Sequence, residues 1–221
     1  VEVAAGDDSV ALIFRHMQPL VDEDVQALIN FCQQRDWQCY LQPSGYDSVH
    51  RVYPVEGEDR LHYAMPDFGL TMRFYPLDFT QVNAEINQKM VKLALDLLDP
   101  KPNERVLDLF CGLGNFTLPL ARLAAQVQGI EGSQSLVSRA LENARLNKLE
   151  DKTAFLESNL FEVDSEKIKS WGAFDRWLID PPREGALAVV KALGVIDEIR
   201  FKPTRIVYVS CNPSTLARDA A

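Results

Sequence analysis

The spacing of hydrophobic and polar positions changes near residue 80. Before that point, short apolar stretches alternate with turns that contain glycine or proline, as in Pro43-Ser-Gly45. This pattern predicts strands at 10–14, 37–41, 61–65 and 70–75. A helix is predicted to open at Asp22, with Val25, Leu28, Ile29 and Cys32 on one face. Residues 1–78 are therefore expected to form a small α+β subdomain.

From residue 79 onward, apolar strands alternate strictly with helices. The first helix follows Asn83 and carries Ile86, Met90, Leu93 and Leu97 on one stripe. Strands are predicted at 105–110, 127–131, 153–157, 174–180 and 205–210, and helices at 116–124, 133–146, 164–169 and 184–200. Five short apolar strands separated by helices indicate an α/β fold, with a parallel, doubly wound sheet covered on both faces. Such sheets bind ligands in the loops at the carboxyl ends of their strands.

Amino-acid composition indicates a globular protein and argues against a membrane-spanning one. The chain of 221 residues is 47% hydrophobic and 25% charged, which is ordinary for a globular protein. No run of 18 apolar residues exists, so we expect no membrane-spanning helix. The sequence begins without Met and shows no secretory signal, and we expect it to be the interior of a longer protein.

The net charge of -9 is concentrated in the first part of the chain, where residues 1–80 hold 13 acids and 5 bases. Phosphate binding favours a basic surface, so the composition alone argues against a nucleic-acid partner.

The four cysteines, Cys32, Cys39, Cys111 and Cys211, lack the paired spacing of a zinc or iron–sulfur site. We expect free thiols in a reducing compartment, hence the cytoplasm. The three histidines are scattered without ligand spacing, and no metal site is expected.

The loop after the first strand of the second domain has the features of a nucleoside site. Gly112 and Gly114 allow a tight turn and a close ligand approach, but Thr117 stands where a dinucleotide fingerprint has its third glycine. Glu131 follows Gly112 by 19 residues, the spacing expected of an acid that binds ribose hydroxyls. This combination suits S-adenosylmethionine better than NAD, the alternative being a tight turn and a surface acid. Cys111 within the turn is interpreted as a packing residue.

The loop Asp180-Pro-Pro-Arg183 follows the apolar strand that ends at Ile179. Two prolines make a stiff exit that places one carboxylate at the edge of the sheet beside the glycine turn. Amino-group methyltransferases use a similar loop with an aromatic fourth residue, and Arg183 in that position counts against an exocyclic amine as methyl acceptor. A purely structural role for the prolines is the alternative.

A cysteine, Cys211, directly follows the last predicted strand, in a turn that leads into a new helix. Backbone donors and the positive helix end would favour its thiolate, although a structural free cysteine is the alternative. A thiolate that adds to carbon 6 of uracil makes carbon 5 nucleophilic enough to take a methyl group. A general base then removes the carbon-5 proton and the thiolate is eliminated. The target uridine must be single-stranded or flipped.

These motifs together resemble the RNA uracil-C5 methyltransferase family, which makes 5-methyluridine in tRNA and ribosomal RNA. The resemblance covers most of residues 70–221 and rests on Phe79-Thr-Gln-Val-Asn83, the Asp108–Phe116 loop, Asp180-Pro-Pro-Arg183 and Tyr208-Val-Ser-Cys-Asn-Pro213. The segments 109–120 and Thr215-Leu-Ala-Arg-Asp219 are most similar to the branch that acts on 23S ribosomal RNA, and the tRNA branch is the alternative.

The resemblance implies roles for individual residues. Cys211 falls on the nucleophile, and the expected contacts to S-adenosyl-L-methionine are Gln81, Phe110, Asn115, Glu131, Asn159 and Asp180, beside Gly112 of the turn. Physical reasoning would not have selected Gln81 or Asn159. The expected partner is ribosomal RNA, and the expected state is a monomer.

Two departures from the family pattern follow. The family's general base is a glutamate that should lie beyond Ala221, and its iron–sulfur cluster and RNA-binding barrel should precede residue 1. The basic footprint would then lie outside this sequence, as would two strands of the sheet, so we expect the chain alone to bind cofactor weakly and turn over poorly. The alternatives are an amino-group methyltransferase and a non-catalytic RNA-binding or folding module.

Overall fold

The computed structural model describes residues 1–221, which form two compact units. One unit comprises Val1–Met65 and Thr71–Val82, and the other comprises Pro66–Leu70 and Asn83–Ala221. The division expected from the sequence, at 78/79, remains a prediction.

The first unit is built on a four-stranded mixed sheet. Its elements are β1 (Glu2–Ala5), β2 (Val10–Arg15), α1 (Asp22–Gln33), β3 (Gln38–Gln42), β4 (His50–Tyr53), β5 (Leu61–Met65) and β6 (Leu70–Phe74). The sheet order is β1-β2-β3-β4, with β2 and β3 parallel on either side of α1 and both outer pairs antiparallel. β5 and β6 pair separately. The sequence did not predict β1 or β4, because neither has the run of buried apolar residues that marks a core strand.

The core of the first unit forms between α1 and the sheet. Leu12, Cys32 and Cys39 are buried there, with Trp37 and Val52 packed against them. Burial raises the pKa of the Cys39 thiol to about 12, so this cysteine is a protonated packing residue.

The second unit is the predicted α/β fold. Its elements are α2 (Ala84–Leu98), β7 (Arg105–Leu109), α3 (Thr117–Leu123), β8 (Gln126–Glu131), α4 (Gln134–Leu146), β9 (Thr153–Glu157), α5 (Ser165–Trp171), β10 (Arg176–Ile179), α6 (Leu187–Gly194), β11 (Arg205–Tyr208) and α7 (Pro213–Ala220). The sheet order is β11-β10-β7-β8-β9 and every pair is parallel, which confirms the doubly wound topology. The strand order reverses between β7 and β10, where open α/β sheets bind ligands.

The predicted apolar stripe of α2 is not its buried face. Ile86, Leu93 and Leu97 are each more than half exposed. The face that packs inward carries Asn87, Val91, Ala94, Leu95 and Leu98. Two apolar stripes coexist on this helix, and the sheet selects the one with a small residue at its centre, because Ala94 allows close approach.

The helix predicted at 184–200 is shorter than expected. α6 ends at Gly194, and a short 3-10 helix at Ile199–Phe201 follows. Residues 182–185 instead form a turn closed by the Gly185 amide, which donates to the Pro182 carbonyl at 2.9 Å, and Gly185 has φ +81°, a conformation outside the helical region. None of the seven α-helices combines the length and apolarity that a membrane crossing requires.

The amino edge of the second sheet is held by one buried guanidinium. Arg176, 8% exposed, donates from Nε and Nη2 to the two carboxylate oxygens of Glu104, both at 3.0 Å. Its Nη1 donates to the Leu98 carbonyl at 2.8 Å. This fork joins the starts of β7 and β10 to the end of α2, and it holds the pKa of Glu104 below its usual value against the opposing effect of burial.

Replacing Glu104 by glutamine should lower the free energy of unfolding by about 2–4 kcal/mol, because the guanidinium then stays buried without a counter-charge. The Glu104 carboxylate has a lowered pKa in the folded state, so its stabilisation should be present above the unfolded pKa and disappear as the pH falls through the folded value. Denaturant titrations at pH 7 and pH 3.5 measure both effects. The control is E150Q at an exposed site, and an equal loss in both variants would contradict the assignment.

Candidate functional site

Three loops meet at the carboxyl edge of the second sheet. The Asp180 amide donates to the Leu109 carbonyl at 3.2 Å, and the Val209 amide donates to the Ile179 carbonyl at 2.8 Å. The exits of β7, β10 and β11 are therefore hydrogen-bonded in sequence across the edge. The glycine turn, the Asp180 loop and the Cys211 loop lie next to one another, as the order of the strands requires.

The glycine turn owes its shape to left-handed backbone conformations. Phe110 has φ +64°, Gly112 +55° and Gly114 +99°. The Phe110 and Cys111 amides both donate to the Ile130 carbonyl, at 2.9 and 3.1 Å, which fixes the start of the turn on β8. The side of Gly112 where a side chain would project is open, so a ligand can approach the backbone there.

Glu131 connects two loops through its carboxylate. Its Oε2 accepts from the Gly112 amide at 3.0 Å, and its Oε1 accepts from the Ser133 amide at 3.1 Å. A carboxylate has about four acceptor positions, so each oxygen retains capacity for a further donor. Glu131 therefore both shapes the glycine turn and presents an acceptor at its rim.

A buried acid that the sequence analysis did not select lies beneath the turn. Asp108 is fully buried in β7 and accepts from the Thr117 hydroxyl, while its Oδ1 has no partner. Burial raises its pKa to about 8, opposed by the Thr117 hydrogen bond and reinforced by the nearby Asp180 and Glu131 carboxylates. The sequence feature that indicates this buried acid is an aspartate inside an apolar strand, two residues before the glycine turn begins.

Asp180 is half-buried, and no protein group donates a hydrogen bond to its carboxylate. Burial alone raises its pKa to about 6. A desolvated acid without a partner at a loop is a candidate for ligand binding. The side chain of Arg183, three residues later, is exposed and does not neutralise it.

Asn115 is held by a helix rather than directed freely outward. Its side-chain amide forms a reciprocal pair with Asn87 of α2, with N···O distances of 2.9 and 3.0 Å. On the other side, Asn143 of α4 donates to the Leu113 carbonyl at 3.2 Å. Two buried asparagines therefore secure the glycine turn. Their signal in the sequence is an amide within an otherwise apolar helix face.

Asn159 and Phe110 lie toward the β9 side of the edge. Asn159 is exposed, its Oδ1 accepts from the Phe161 amide at 3.0 Å, and it lines an open cleft of about 680 Å³ with Glu157, Glu162 and Lys167. Phe110 meets the exposed Phe161 edge to face, with ring centroids 5.7 Å apart. No residue of the glycine turn lines that cleft.

The two cysteines of this edge differ sharply. Cys111 is buried against Gly129, and burial raises its pKa well above the ordinary value, as suits a packing residue. Cys211 is exposed, in the turn between β11 and α7. Asn212 caps α7 by accepting from the Ser214 amide at 3.1 Å, and the turn is closed by Ser210. The thiol that the sequence selected is therefore accessible.

Gln81 lies in irregular chain just before α2 and is exposed. It belongs to the first compact unit, and its contact with a cofactor remains a prediction.

The family model and two relatives that match this sequence all describe uracil-C5 methyltransferases. A family model described as tRNA (uracil-5-)-methyltransferase matches residues 58–221. The chain is 55% identical over 223 residues to the 23S rRNA (uracil(1939)-C(5))-methyltransferase RlmD of Alcanivorax borkumensis, and 52% identical over 225 residues to the protein of that name from Ralstonia pickettii. These alignments include the whole chain but only 48% and 50% of the two relatives. The chain thus spans about half the length of the curated relatives it matches.

A solved structure shares the fold. The crystal structure of Pyrococcus abyssi tRNA (uracil-54, C5)-methyltransferase in complex with S-adenosyl-L-homocysteine superposes with a TM-score of 0.72 and 24% sequence identity. The match covers 99% of this chain and 51% of that chain, so it extends over both compact units.

Replacing Asp180 by asparagine should stabilise the protein at neutral pH by about 2–3 kcal/mol, because the wild type keeps a buried, unpartnered charge. The folded pKa is raised above the unfolded value, so the wild type should lose stability as the pH rises from about 4 to about 6, and the variant should not. Unfolding free energies measured between pH 4 and 8 provide the test, with D197N at an exposed site as control. A difference in unfolding free energy between wild type and D180N that does not increase with pH would contradict this prediction.

Proposed function

The chain belongs to the tRNA (uracil-5-)-methyltransferase family, which confirms the resemblance seen in its motifs, and from this premise we propose that it methylates carbon 5 of a uridine in 23S ribosomal RNA. The observation that carries the proposal is the exposed thiol of Cys211, on the same sheet edge as the unpartnered carboxylate of Asp180. The 55% identical relative is named for this reaction. Cytoplasmic location and a monomeric state are part of the proposal.

The residues of the edge fit S-adenosyl-L-methionine. Glu131 has acceptor capacity left for ribose hydroxyls, and the open side of Gly112 admits a close ligand. Asp180 offers a carboxylate to a cationic or hydrogen-bonding ligand, and Phe110 and Asn159 lie toward the β9 side, where a base could bind. Asn115 completes the proposed contacts of this edge, and Gln81 is a further contact that rests on the sequence resemblance alone. Bound there, the cofactor would supply an electrophilic methyl group.

Cys211 would act as the nucleophile. Its thiolate forms a bond to carbon 6 of uracil, and the electrons of the 5,6 double bond move toward the carbonyl oxygen at carbon 4. Carbon 5 of this enolate becomes nucleophilic and would take the methyl group from the sulfonium of the bound cofactor, which would leave as S-adenosyl-L-homocysteine. Removal of the carbon-5 proton by a general base then returns electrons to the ring, and the bond between sulfur and carbon 6 breaks. We assign the base to no residue of this chain, since the resemblance gives that role to a glutamate after residue 221.

The RNA substrate must expose its base to this edge, so a single-stranded or flipped uridine is proposed. The acidic first 80 residues are unsuited to phosphate, and we therefore place the basic RNA contacts, and an iron–sulfur cluster, on parts of the full-length protein outside this chain.

The natural full-length protein should form a covalent adduct with 5-fluorouridine RNA in the presence of S-adenosyl-L-methionine, because fluorine at carbon 5 prevents the elimination that releases Cys211. C211A should give no adduct, and C111A, which removes the buried cysteine of the neighbouring loop, should still give one. Denaturing gel mobility of the RNA measures the product. Methyl transfer by folded C211A would refute the covalent scheme, and transfer to an exocyclic amine would favour an amino-group methyltransferase.

The full-length protein should methylate a 23S ribosomal RNA fragment in preference to tRNA by at least about tenfold in kcat/KM, a difference of about 1.4 kcal/mol. Incorporation of labelled methyl groups into the two unmodified RNAs provides the comparison. Preference for tRNA would assign the chain to the other branch, and RNA binding that D180A and C211A leave intact, without methylation by the wild type, would favour a non-catalytic RNA-binding module.

A further inference from the structure

The segment Thr215-Leu-Ala-Arg-Asp219, which the motif analysis singled out, has no role in the chemistry above. It lies on α7, directly after the Cys211 turn. Asp219 is only 4% exposed, although it lies on a short helix at the side of the sheet. A buried aspartate on such a helix requires hydrogen-bonding partners, and these partners reveal what the segment does.

Three donors converge on the Asp219 carboxylate. Oδ2 accepts from the Tyr208 hydroxyl and from the Ala186 amide, both at 2.7 Å, and Oδ1 accepts from Arg218 Nε at 2.7 Å. These hydrogen bonds outweigh burial and hold the pKa of Asp219 below its usual value. The carboxylate therefore connects the end of β11 with the turn that leads into α6.

Other residues of α7 and its N-cap, Asn212, hold the same turn. Asn212 Nδ2 and Thr215 Oγ1 donate to the Arg183 carbonyl, at 3.1 and 3.2 Å. Arg218 Nη2 donates to the Glu184 carbonyl at 2.7 Å. Residues 183–186 directly follow Asp180-Pro-Pro, so the proposed nucleophile loop is joined to the loop that carries the proposed cofactor acid.

The contact between the two loops leaves no space for a side chain at Gly185. A Cβ built there would lie 2.5 Å from Asp219 Oδ2 and 2.6 Å from Arg218 Nη2. The φ of +81° is itself unfavourable for other residues. The shape of the 183–186 turn and the position of Asp219 are therefore specified together.

We propose that Asp219 is a positioning residue that fixes the Cys211 loop relative to the Asp180 loop, and so sets the approach of the nucleophile to a uridine beside the cofactor. This inference rests on the proposed function. Asparagine cannot replace the aspartate, because one of its two polar atoms would be an NH2 group directed at the donors of Ala186 and Tyr208 or of Arg218. Small displacements of a reacting group have large effects on reaction rate, so loss of the Asp219 contacts should slow the step that uses Cys211. The glycine turn and Glu131 are held by separate contacts and should keep their positions.

The test uses the natural full-length protein and compares D219N, G185A and the exposed-site control D197N. At saturating S-adenosyl-L-methionine, D219N should form the 5-fluorouridine RNA adduct at least about tenfold more slowly than the wild type. The dissociation constant of D219N for S-adenosyl-L-homocysteine should stay within about threefold, because Asp219 contacts Ala186 and not Asp180 itself, and the glycine turn is held by Glu131. All rates are measured at a temperature at which every variant is folded by circular dichroism, so that a loss of stability alone does not alter them.

G185A changes the other side of the contact and should also slow adduct formation. The double variant D219N/G185A should form adduct little more slowly than either single variant, because both substitutions disrupt the same contact between the two loops. Should D219N fail to fold, Y208F removes one donor and should slow adduct formation by a smaller factor. A D219N or Y208F rate equal to that of D197N, with wild type forming adduct normally, would overturn the positioning role and leave the proposed function intact. Absence of adduct in the wild type would instead overturn both.

Discussion

Three carboxylates are confined to one edge of a parallel sheet, and no basic side chain hydrogen-bonds to any of them. Glu131 accepts from the backbone amides of Gly112 and Ser133, Asp108 accepts from the Thr117 hydroxyl through one oxygen only, and Asp180 accepts from no protein group. Burial, reinforced by the nearby Asp180 and Glu131 carboxylates, disfavours ionisation of Asp108, and burial disfavours that of Asp180. The left-handed backbone of the glycine turn brings the Gly112 amide to Glu131. Asp180 has a pKa of about 6 and no protein partner, so at neutral pH its carboxylate favours a cationic ligand, and the sulfonium and ammonium groups of S-adenosylmethionine carry positive charge.

The contacts that contribute most to the stability of the second unit lie away from the carboxyl edge. Arg176 clamps the opposite, amino edge of the sheet to α2, and the large buried side chains, Trp177 and Leu107 among them, fill the interior. The carboxyl edge is therefore supported from below by a rigid sheet and from the sides by single polar contacts, such as the pair of Asn87 with Asn115. A desolvated acid can be tolerated at a site when the remainder of the domain contributes the stability.

Local patterns were a good guide wherever one periodicity dominated. The strands of the second unit, their order along the chain and the positions of the three loops proposed to form the site all follow from short apolar runs that alternate with helices. The predicted buried face of α2 and the predicted helix at 184–200 were wrong, because the local sequence is compatible with two structures in each case. α2 has two apolar stripes, and the segment at 184–200 has helical composition but needs a turn at Gly185 to meet Asp219. The choice in each case depended on partners distant in the sequence.

The sequence by itself determined the doubly wound fold, the glycine turn, the Asp180 loop and the place of Cys211 in the turn after the last strand, because each depends on periodicity or on residues adjacent in the chain. Only the tertiary structure decided the polar pairings: Asp108 with Thr117, Asn87 with Asn115, and Asp219 with Ala186 and Tyr208. A hydrogen bond requires both partners within about 3 Å, and residues separated by 9 to 33 positions reach that distance only when helices and strands have packed. The burial that raises the pKa of Asp180 likewise exists only in the folded protein.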